Sequence, residues 1–427
     1  MAEQATNKAW EKIFNHFDLP TKIHDEGLAF VTAKEIKKIA NREPRLMCKF
    51  DDRVSRSQIL KANDVTILPI KNGEYALING DGYQTLPSIL ESIQFFEWPF
   101  QKRLETLPKE PRSESQVIDM AIATGLISHF LEDYDLTLTI RGRLRSAPFK
   151  FIFQGSTKIH ELSVDGVQVE VDAGFEGEKI YLIEAKMGER DDFHIRQLYY
   201  PMRMWVEEGV TKEIVPLFIT YANEIISISQ YRFRDIHEYS SLELVKTVNY
   251  AFEPHPLDIT LPEIIQNIKV LSKEPEDVPF PQADDIRKVR DTVDLISWGY
   301  DTRDQIAKFW GVDKRQGDYY ANAGLYLGLV GKRDKHWILT PKGEKFVHLP
   351  TTQRNKMLAE IIFQHPVFYK VQSEYFEKNQ LSSKDEMVSY IKSNTSQNLS
   401  QSTLIRRAST IIRWVKYINE VYKNISK

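Results

Sequence analysis

Apolar positions recur along this chain with two alternating periods, every three to four residues and every second residue. "NKAWEKIFNHF" has helical spacing, and "TAKEIKKIAN" opens on a Thr in N-cap position and reads as a second helix. "DVTILPI" and "EYALING" are short strand-like runs joined by "KNG", a hairpin signal. These elements define an N-terminal α+β module over residues 1–110, punctuated at its end by "LPKEPRSES". Beyond it, Ser113 and Gln116 form a capping box ahead of one strongly apolar helix, "VIDMAIATGLISHFL". "LTLTI" and "FKFIF" alternate as strands, and "GVQVEVDAGFE" with "KIYLIEAK" reads as a β-hairpin. "DDFHIRQLYYPMRMWVEEG" reads as a helix kinked at Pro201, and "EIVPLFITY" as a buried strand. Helix, strand, strand, strand, helix, strand over residues 111–250 predicts an α/β or α+β core built on a mixed sheet.

Residues 251–283 are rich in Pro and acids and read as a linker around one short helix. Residues 284–349 change rhythm. "DDIRKVRDTVDLISWG", "DTRDQIAKFWGV" and "RQGDYYANAGLYLGLV" are three helices, and "HWILTPKGEKFV" reads as two strand-like pieces around Pro341 and Gly343. Three helices followed by a β-wing is the winged variant of helix-turn-helix. Residues 350–427 add a helical part whose last pair, "SKDEMVSYIKS" and "QSTLIRRASTIIRWVKYINEVY", also has helix-turn-helix spacing.

Composition bounds this picture. At 427 residues the chain is too long for one ordinary domain. No apolar run is long enough to span a bilayer, and the N-terminus has acids and no apolar signal core. A single cysteine, Cys48, rules out an internal disulfide and a cysteine-cluster metal site, so an intracellular, cytoplasmic protein is the expectation. Net charge is −3, but it is unevenly spread. From Pro281 onward there are 24 Lys+Arg against 16 Asp+Glu, and before it 33 against 44. A basic part beside an acidic part suggests that the C-terminal half meets a polyanion.

The stretch "VEVDAGFEGEKIYLIEAK" carries the candidate chemistry. Charges inside strands are costly unless paired or bound to metal. Alternation puts Glu184 and Lys186 on one face, and hairpin pairing puts Asp172 beside Glu184. Two carboxylates that close repel unless a cation lies between them. Mg²⁺ takes oxygen ligands, and the Ala185 carbonyl adds one. Lys186 can then hold the attacking water or offset charge on a phosphate. An E-x-K on a strand is commonly a surface ion pair; here both strands look buried and an Asp precedes at hairpin distance. A third acid is expected from a neighbouring helix: Glu114, with Glu132 and Glu161 as alternatives. Gln197 lies on the following helix, within reach of the metal or the water.

"VDAGF…LIEAK" resembles the D…(D/E)-x-K signature of the PD-(D/E)XK nuclease superfamily, and the order of elements around it resembles that superfamily's core. Val171 stands where the signature has Pro. "NREPRLMCKFDDR…TILPIKNGEYALI" and "STLIRRASTIIRWVKYI" are similar to segments of bacterial type II restriction endonucleases. The resemblance implies a Mg²⁺-dependent enzyme, acting as a homodimer, that cuts duplex DNA at a short sequence. Asp172 and Glu184 would be metal ligands and Lys186 the catalytic lysine. Alternatives are a modification-dependent or structure-specific nuclease, or a winged-helix regulator with an inert core.

For DNA contacts, Arg315 and Gln316 start the predicted recognition helix, and Arg and Gln read guanine and adenine edges. Arg45, Arg53, Arg143, Arg406 and Arg407 are candidates for phosphate contacts, which give affinity rather than sequence choice. The histidines do not cluster, and no phosphate-binding glycine loop or dinucleotide fingerprint is present, so no nucleotide cofactor is expected.

Overall fold

The computed structural model describes residues 2–88, 93–96, 104, 106–108, 110–252, 259–349, 351–397 and 399–425. The boundary expected near residue 110 and the "EPHPLD" part of the expected linker fall wholly or partly outside these residues. The protein is mixed α/β, with a mixed sheet, and divides into two compact units. No helix among the described residues is long and apolar enough to cross a membrane.

The first unit holds residues 1–89, 96–221 and 226–250, so the N-terminal elements and the following sheet form one body. The N-terminal sheet is antiparallel, in the order Leu28–Thr32, Glu74–Asn79, Val65–Lys71. Alternation along its edge strand explains the union. Val65 and Ile67 face one core with Trp10, Phe14 and Ile36, while Leu68 and Ile70 face another with Phe151, Leu182 and Tyr199. Thr32 does cap the Ala33–Ala40 helix, with Glu35 closing the box.

The larger sheet of this unit runs Leu242–Ala251, Ile225–Phe233, Ile214–Ala222, Ile180–Met187, Gln168–Glu176, Thr137–Arg145. Its Ile180–Met187 strand is parallel to Ile214–Ala222 on one side and antiparallel to Gln168–Glu176 on the other. Both faces of Ile180–Met187 are buried, which is why it reads as a continuous apolar run around its two charges. Two local expectations need correction. The "VIDMAIATGLISHFL" helix is two helices, Glu114–Ala123 and Leu126–Leu131, because Gly125 sits between them at φ 75°. The helix expected from Asp191 starts only at Arg196, since Asp192–His194 pairs as a strand with Tyr83–Thr85. Arg141, Arg143 and Arg145 lie on the strand Thr137–Arg145, just before the strand Phe149–Gln154.

The second unit holds residues 251–427 with two short pieces from earlier in the chain. Helices Ile286–Ser297, Arg303–Trp310 and Lys314–Tyr326 are followed by a hairpin, Val330–Arg333 with His336–Leu339. The hairpin comes earlier than its sequence suggested. Gly328 at φ 69° ends the third helix's run, and Thr340 caps a helix, Pro341–Val347, where a strand was expected. Pro at the first helical position suits a helix start, not a strand. Four further helices follow, Thr351–Gln364, Pro366–Lys378, Lys384–Asn394 and Gln401–Ile425. Glu274 ties this unit internally: it is 3% exposed and accepts from the Tyr326 hydroxyl and the Val367 amide, with the His365 Nδ1 2.9 Å away.

Candidate functional site

Pairing between Gln168–Glu176 and Ile180–Met187 sets Ile183 opposite Ala173. The ladder ends at that row, and Asp172 and Glu184 are the next residue on each strand. Along Gln168–Glu176 the residues Val169, Val171, Ala173 and Phe175 are buried, leaving Glu170 and Asp172 on the other face. Asp172 Oδ2 accepts from the Ala185 amide at 2.9 Å, which locks the carboxylate across the pair of strands. Lys186 Nζ donates to Glu184 Oε1 at 2.6 Å and to the Ala185 carbonyl at 3.0 Å.

Two helices complete the cluster. Ser113 caps the Glu114–Ala123 helix by accepting from the Gln116 amide, and this puts Glu114 in its first turn. Glu114 Oε1 lies 3.5 Å from Lys186 Nζ. Gln197, in the first turn of Arg196–Glu207, donates to Glu184 Oε1 at 2.6 Å. Asp172, Glu184, Ala185, Lys186, Glu114 and Gln197 are thus brought together. Glu132 and Glu161 are not: both are exposed, and Glu161 pairs with Lys150 at 3.1 Å.

Sequence reasoning missed Asp51. It lies in the stretch read for its cations, far from the hairpin in the chain. The Asp51 carbonyl accepts from the His194 amide at 3.0 Å, which draws it to the start of the Arg196–Glu207 helix. Asp51, Lys49, Glu184, Arg196 and Gln197 line one open cleft. Asp51 Oδ1 and Gln197 Oε1 are both sealed from solvent with no hydrogen-bond partner among the described residues. The pairing of Asp192–His194 with Tyr83–Thr85 and the Arg53–Asp192 bond, all long-range contacts, underlie this arrangement.

The electrostatics follow from burial and crowding. Burial, with Asp172 adding to it against Lys186, pushes the Glu184 carboxyl up to about 7. Burial likewise raises Glu114, helped by Asp172 and opposed by Lys186. Burial alone would pull Lys186 down, but Glu184, Glu114, Asp172 and Asp51 outweigh it and hold the ammonium above its ordinary value. Asp51 goes the opposite way from the other two acids. Burial would raise it, and Lys49, Lys186, Arg196 and His194 together lower it. His194 itself is 2% exposed, pushed down to about 3 by burial and by Arg196, and lies 3.1 Å from the Tyr239 hydroxyl; it packs rather than catalyses.

Among the described residues no three His, Cys, Asp or Glu side chains are arranged as a metal-binding group. The Lys186 ammonium fills the middle, held by Glu184 Oε1, the Ala185 carbonyl and Glu114 Oε1. Those are oxygen donors of the kind a hard divalent cation takes, and two further oxygens beside them, on Asp51 and Gln197, lack partners. By donor chemistry this set suits such an ion, at the position the ammonium holds.

Comparison with known proteins gives three matches, each to a domain of unknown function: residues 7–77 match DUF6996, residues 78–251 match DUF6997, and residues 288–423 match DUF7226. No curated protein and no solved structure matches the chain. The clustered residues at 114, 172, 184, 186 and 197 all fall within the DUF6997 match, while Asp51 falls within DUF6996.

The expected DNA contacts divide. Arg45, Arg143, Arg315 and Arg406 are exposed. Arg143 lies 3.3 Å from Glu170, and the Arg315 guanidinium sits 5.5 Å over the Tyr319 ring. The Gln316 amide is taken by Asp313, the N-cap of its helix. Two arginines depart from expectation. Arg53 is tied to Asp81 at 2.6 Å, to Asp192 at 3.2 Å and to the Tyr83 carbonyl, so its donors bind the fold together. Arg407 is buried, at 5% exposure, and is not a surface contact.

Proposed function

We propose that this protein is a Mg²⁺-dependent endonuclease that cuts duplex DNA at a specific sequence, on a PD-(D/E)XK-like core served by a winged helix. One observation carries the reading: Asp172 and Glu184–Ala185–Lys186, on neighbouring strands, converge with Glu114 and Gln197 into a single half-buried, mixed-charge cluster. A surface ion pair needs none of those extra partners. In the second unit, three helices followed by a hairpin support the winged-helix part, and Arg315 and Gln316 at the third helix's start suit base reading.

Asp172, Glu184 and the Ala185 carbonyl would hold Mg²⁺. That ion, when bound, supplies Lewis-acid activation of the phosphodiester and a water of lowered pKa. Lys186 stays protonated, because four carboxylates act on it. It is therefore a donor: it orients the attacking water or steadies charge on a phosphate oxygen, and it does not act as the base. Glu114, made more basic by burial, is the carboxylate suited to accept a proton at Lys186's side of the site. Gln197 holds Glu184 in place through its Nε2.

The test is cleavage of methylated and unmethylated genomic DNA in Mg²⁺ or EDTA by wild type and by Lys186→Ala. Discrete Mg²⁺-dependent fragments, lost by at least 100-fold in Lys186→Ala, are expected. The preferred substrate separates ordinary from modification-dependent restriction. Binding without cleavage of either DNA would sink the nuclease reading and leave a winged-helix regulator.

A further inference from the structure

Thr137–Arg145 is the outermost strand on its side of the larger sheet, and it carries Arg141, Arg143 and Arg145 at alternate positions, all exposed. Nowhere else in the sequence do three Lys or Arg stand at i, i+2 and i+4. The row is basic within the acidic part of the chain, which has 33 Lys+Arg against 44 Asp+Glu before Pro281. Its register places it beside the candidate site. Arg143 pairs with Glu170 and Arg145 with Gln168, and both partners line the cleft that Glu184 lines. Between the Ile140–Gly174 and Gly142–Val171 pairs the register shifts, so Arg141 alone stands opposite Asp172 and Ala173. Gly142 makes this irregularity possible at φ 102°, a conformation other residues rarely adopt. Arg141 Nη2 lies 3.1 Å from Asp119 Oδ1, on the helix whose first turn carries Glu114. Arg143 Nε lies 3.3 Å from Glu170 Oε1, and the Arg145 guanidinium lies over Gly166.

Asp119 and Glu170 are exposed, and ion pairs in water are weak and easily exchanged. A phosphate takes the same guanidinium through two charge-assisted bonds, and each phosphate bound releases counter-ions. Alternate residues of a strand are roughly 6.8 Å apart, close to the step between successive phosphates of one nucleic-acid strand. We infer that Arg141, Arg143 and Arg145 seat consecutive backbone phosphates of the duplex strand on which Asp172, Glu184 and Lys186 act, and that Asp119 and Glu170 stand in for those phosphates in the free protein. This deepens the proposed function and rests on it for the chemistry at the cluster. The arginines are positioning residues: they place the backbone across the cluster and take no part in bond breaking. Charge on an outer strand also guards against strand-to-strand association, but that protection works with either sign, whereas a phosphate seat needs positive charge.

The test measures binding of a random-sequence duplex, and of a single strand of equal length, to the full chain across salt in EDTA, with thermal unfolding and light scattering of each variant. Arg141→Gln, Arg143→Gln and Arg145→Gln should each bind duplex about 3–10-fold less tightly and lose about one unit of salt slope, at an unchanged unfolding temperature. Arg141→Lys, Arg143→Lys and Arg145→Lys combined should keep the slope. Asp119→Asn and Glu170→Gln should each bind about 3-fold more tightly, because an arginine is released. Glu161→Gln, whose pair with Lys150 lies on other strands, should bind as wild type does. An unchanged duplex slope in the three Gln changes combined overturns the inference, and self-association of that variant would make the row a guard on the outer strand. A combined Lys variant that unfolds earlier and loses slope as the Gln variant does overturns it in favour of a structural row. Slope lost for the single strand but kept for the duplex overturns the duplex as partner. Binding through the row in EDTA without cleavage in Mg²⁺ sinks the nuclease and leaves this inference standing. Wild-type cleavage by the combined Gln variant sinks the row and leaves the nuclease.

Discussion

At the scale of single residues, the half-buried cluster has an uneven charge ledger. Asp172, Glu184, Glu114 and Asp51 all act on one ammonium, Lys186. The consequence is greatest for Glu184, whose carboxyl is raised from an ordinary 4.5 to about 7, first of all by burial. Between those values the folded chain keeps a proton that the unfolded chain has released. Stability from this group is therefore full below about pH 4.5 and is lost as pH rises through about 7. In EDTA, Glu184→Gln should gain about 2–3 kcal/mol on wild type between pH 5 and pH 8, as read by urea unfolding at each pH. Equal pH slopes for the two proteins would mean that Glu184 ionises normally in the fold. The same variant should lose Mg²⁺-dependent cleavage, so stability and activity would move in opposite directions.

At the scale of elements, the site depends on how closely the strands approach. Gly174 is paired with Ile140 across Thr137–Arg145, and a Cβ placed on it would lie 2.7 Å from the Ile140 Cβ. Neither atom is the end of a flexible chain, so Gly174→Ala must push the strands apart. A cost of about 1–3 kcal/mol is expected. Asp172 is two residues away on the same face, and cleavage should fall by roughly 10–100-fold with duplex binding unchanged. Activity equal to wild type would show that Asp172 is not held by this strand spacing. The elements also show what the sequence could reveal. Asp172, Glu184 and Lys186 were legible because strand alternation fixes which side chains share a face. Glu114 and Gln197 were legible because each opens a helix next to those strands. Asp51 was not, since long-range contacts, the His194 amide's bond to its carbonyl among them, bring it there. The hairpin at Val330–Leu339 was misplaced because "TPKGEKFV" mixes strand-like apolar residues with a helix start, and the Thr340 cap decided it.

At the scale of the whole molecule, the matches to separate domains of unknown function at 7–77 and 78–251 suggest a divisible N-terminal half. The packing argues otherwise. Leu68, Ile70 and Ala76 belong to the first stretch, yet they are buried in one core with Phe151, Leu182 and Tyr199 of the second. Burying a Leu or Ile side chain is worth about 1.5–3 kcal/mol, so Leu68 and Ile70 alone contribute roughly 3–6 kcal/mol. That rivals the whole stability of an ordinary domain, about 5–15 kcal/mol. Arg53 adds to the tie, since it clamps Asp192 of the second stretch from the first. A chain of residues 78–252 should therefore unfold without a cooperative transition in urea, whereas residues 1–252 should unfold cooperatively. The charged cluster makes the same demand, because Asp51 and Lys49 line the cleft beside Glu184 from the first stretch. Cooperative unfolding of 78–252 near the midpoint of 1–252 would show that the shared core is dispensable. If the expected outcome holds, what look like two sequence domains are one folding unit, and the cleft between Asp51 and Glu184 exists only when both are present.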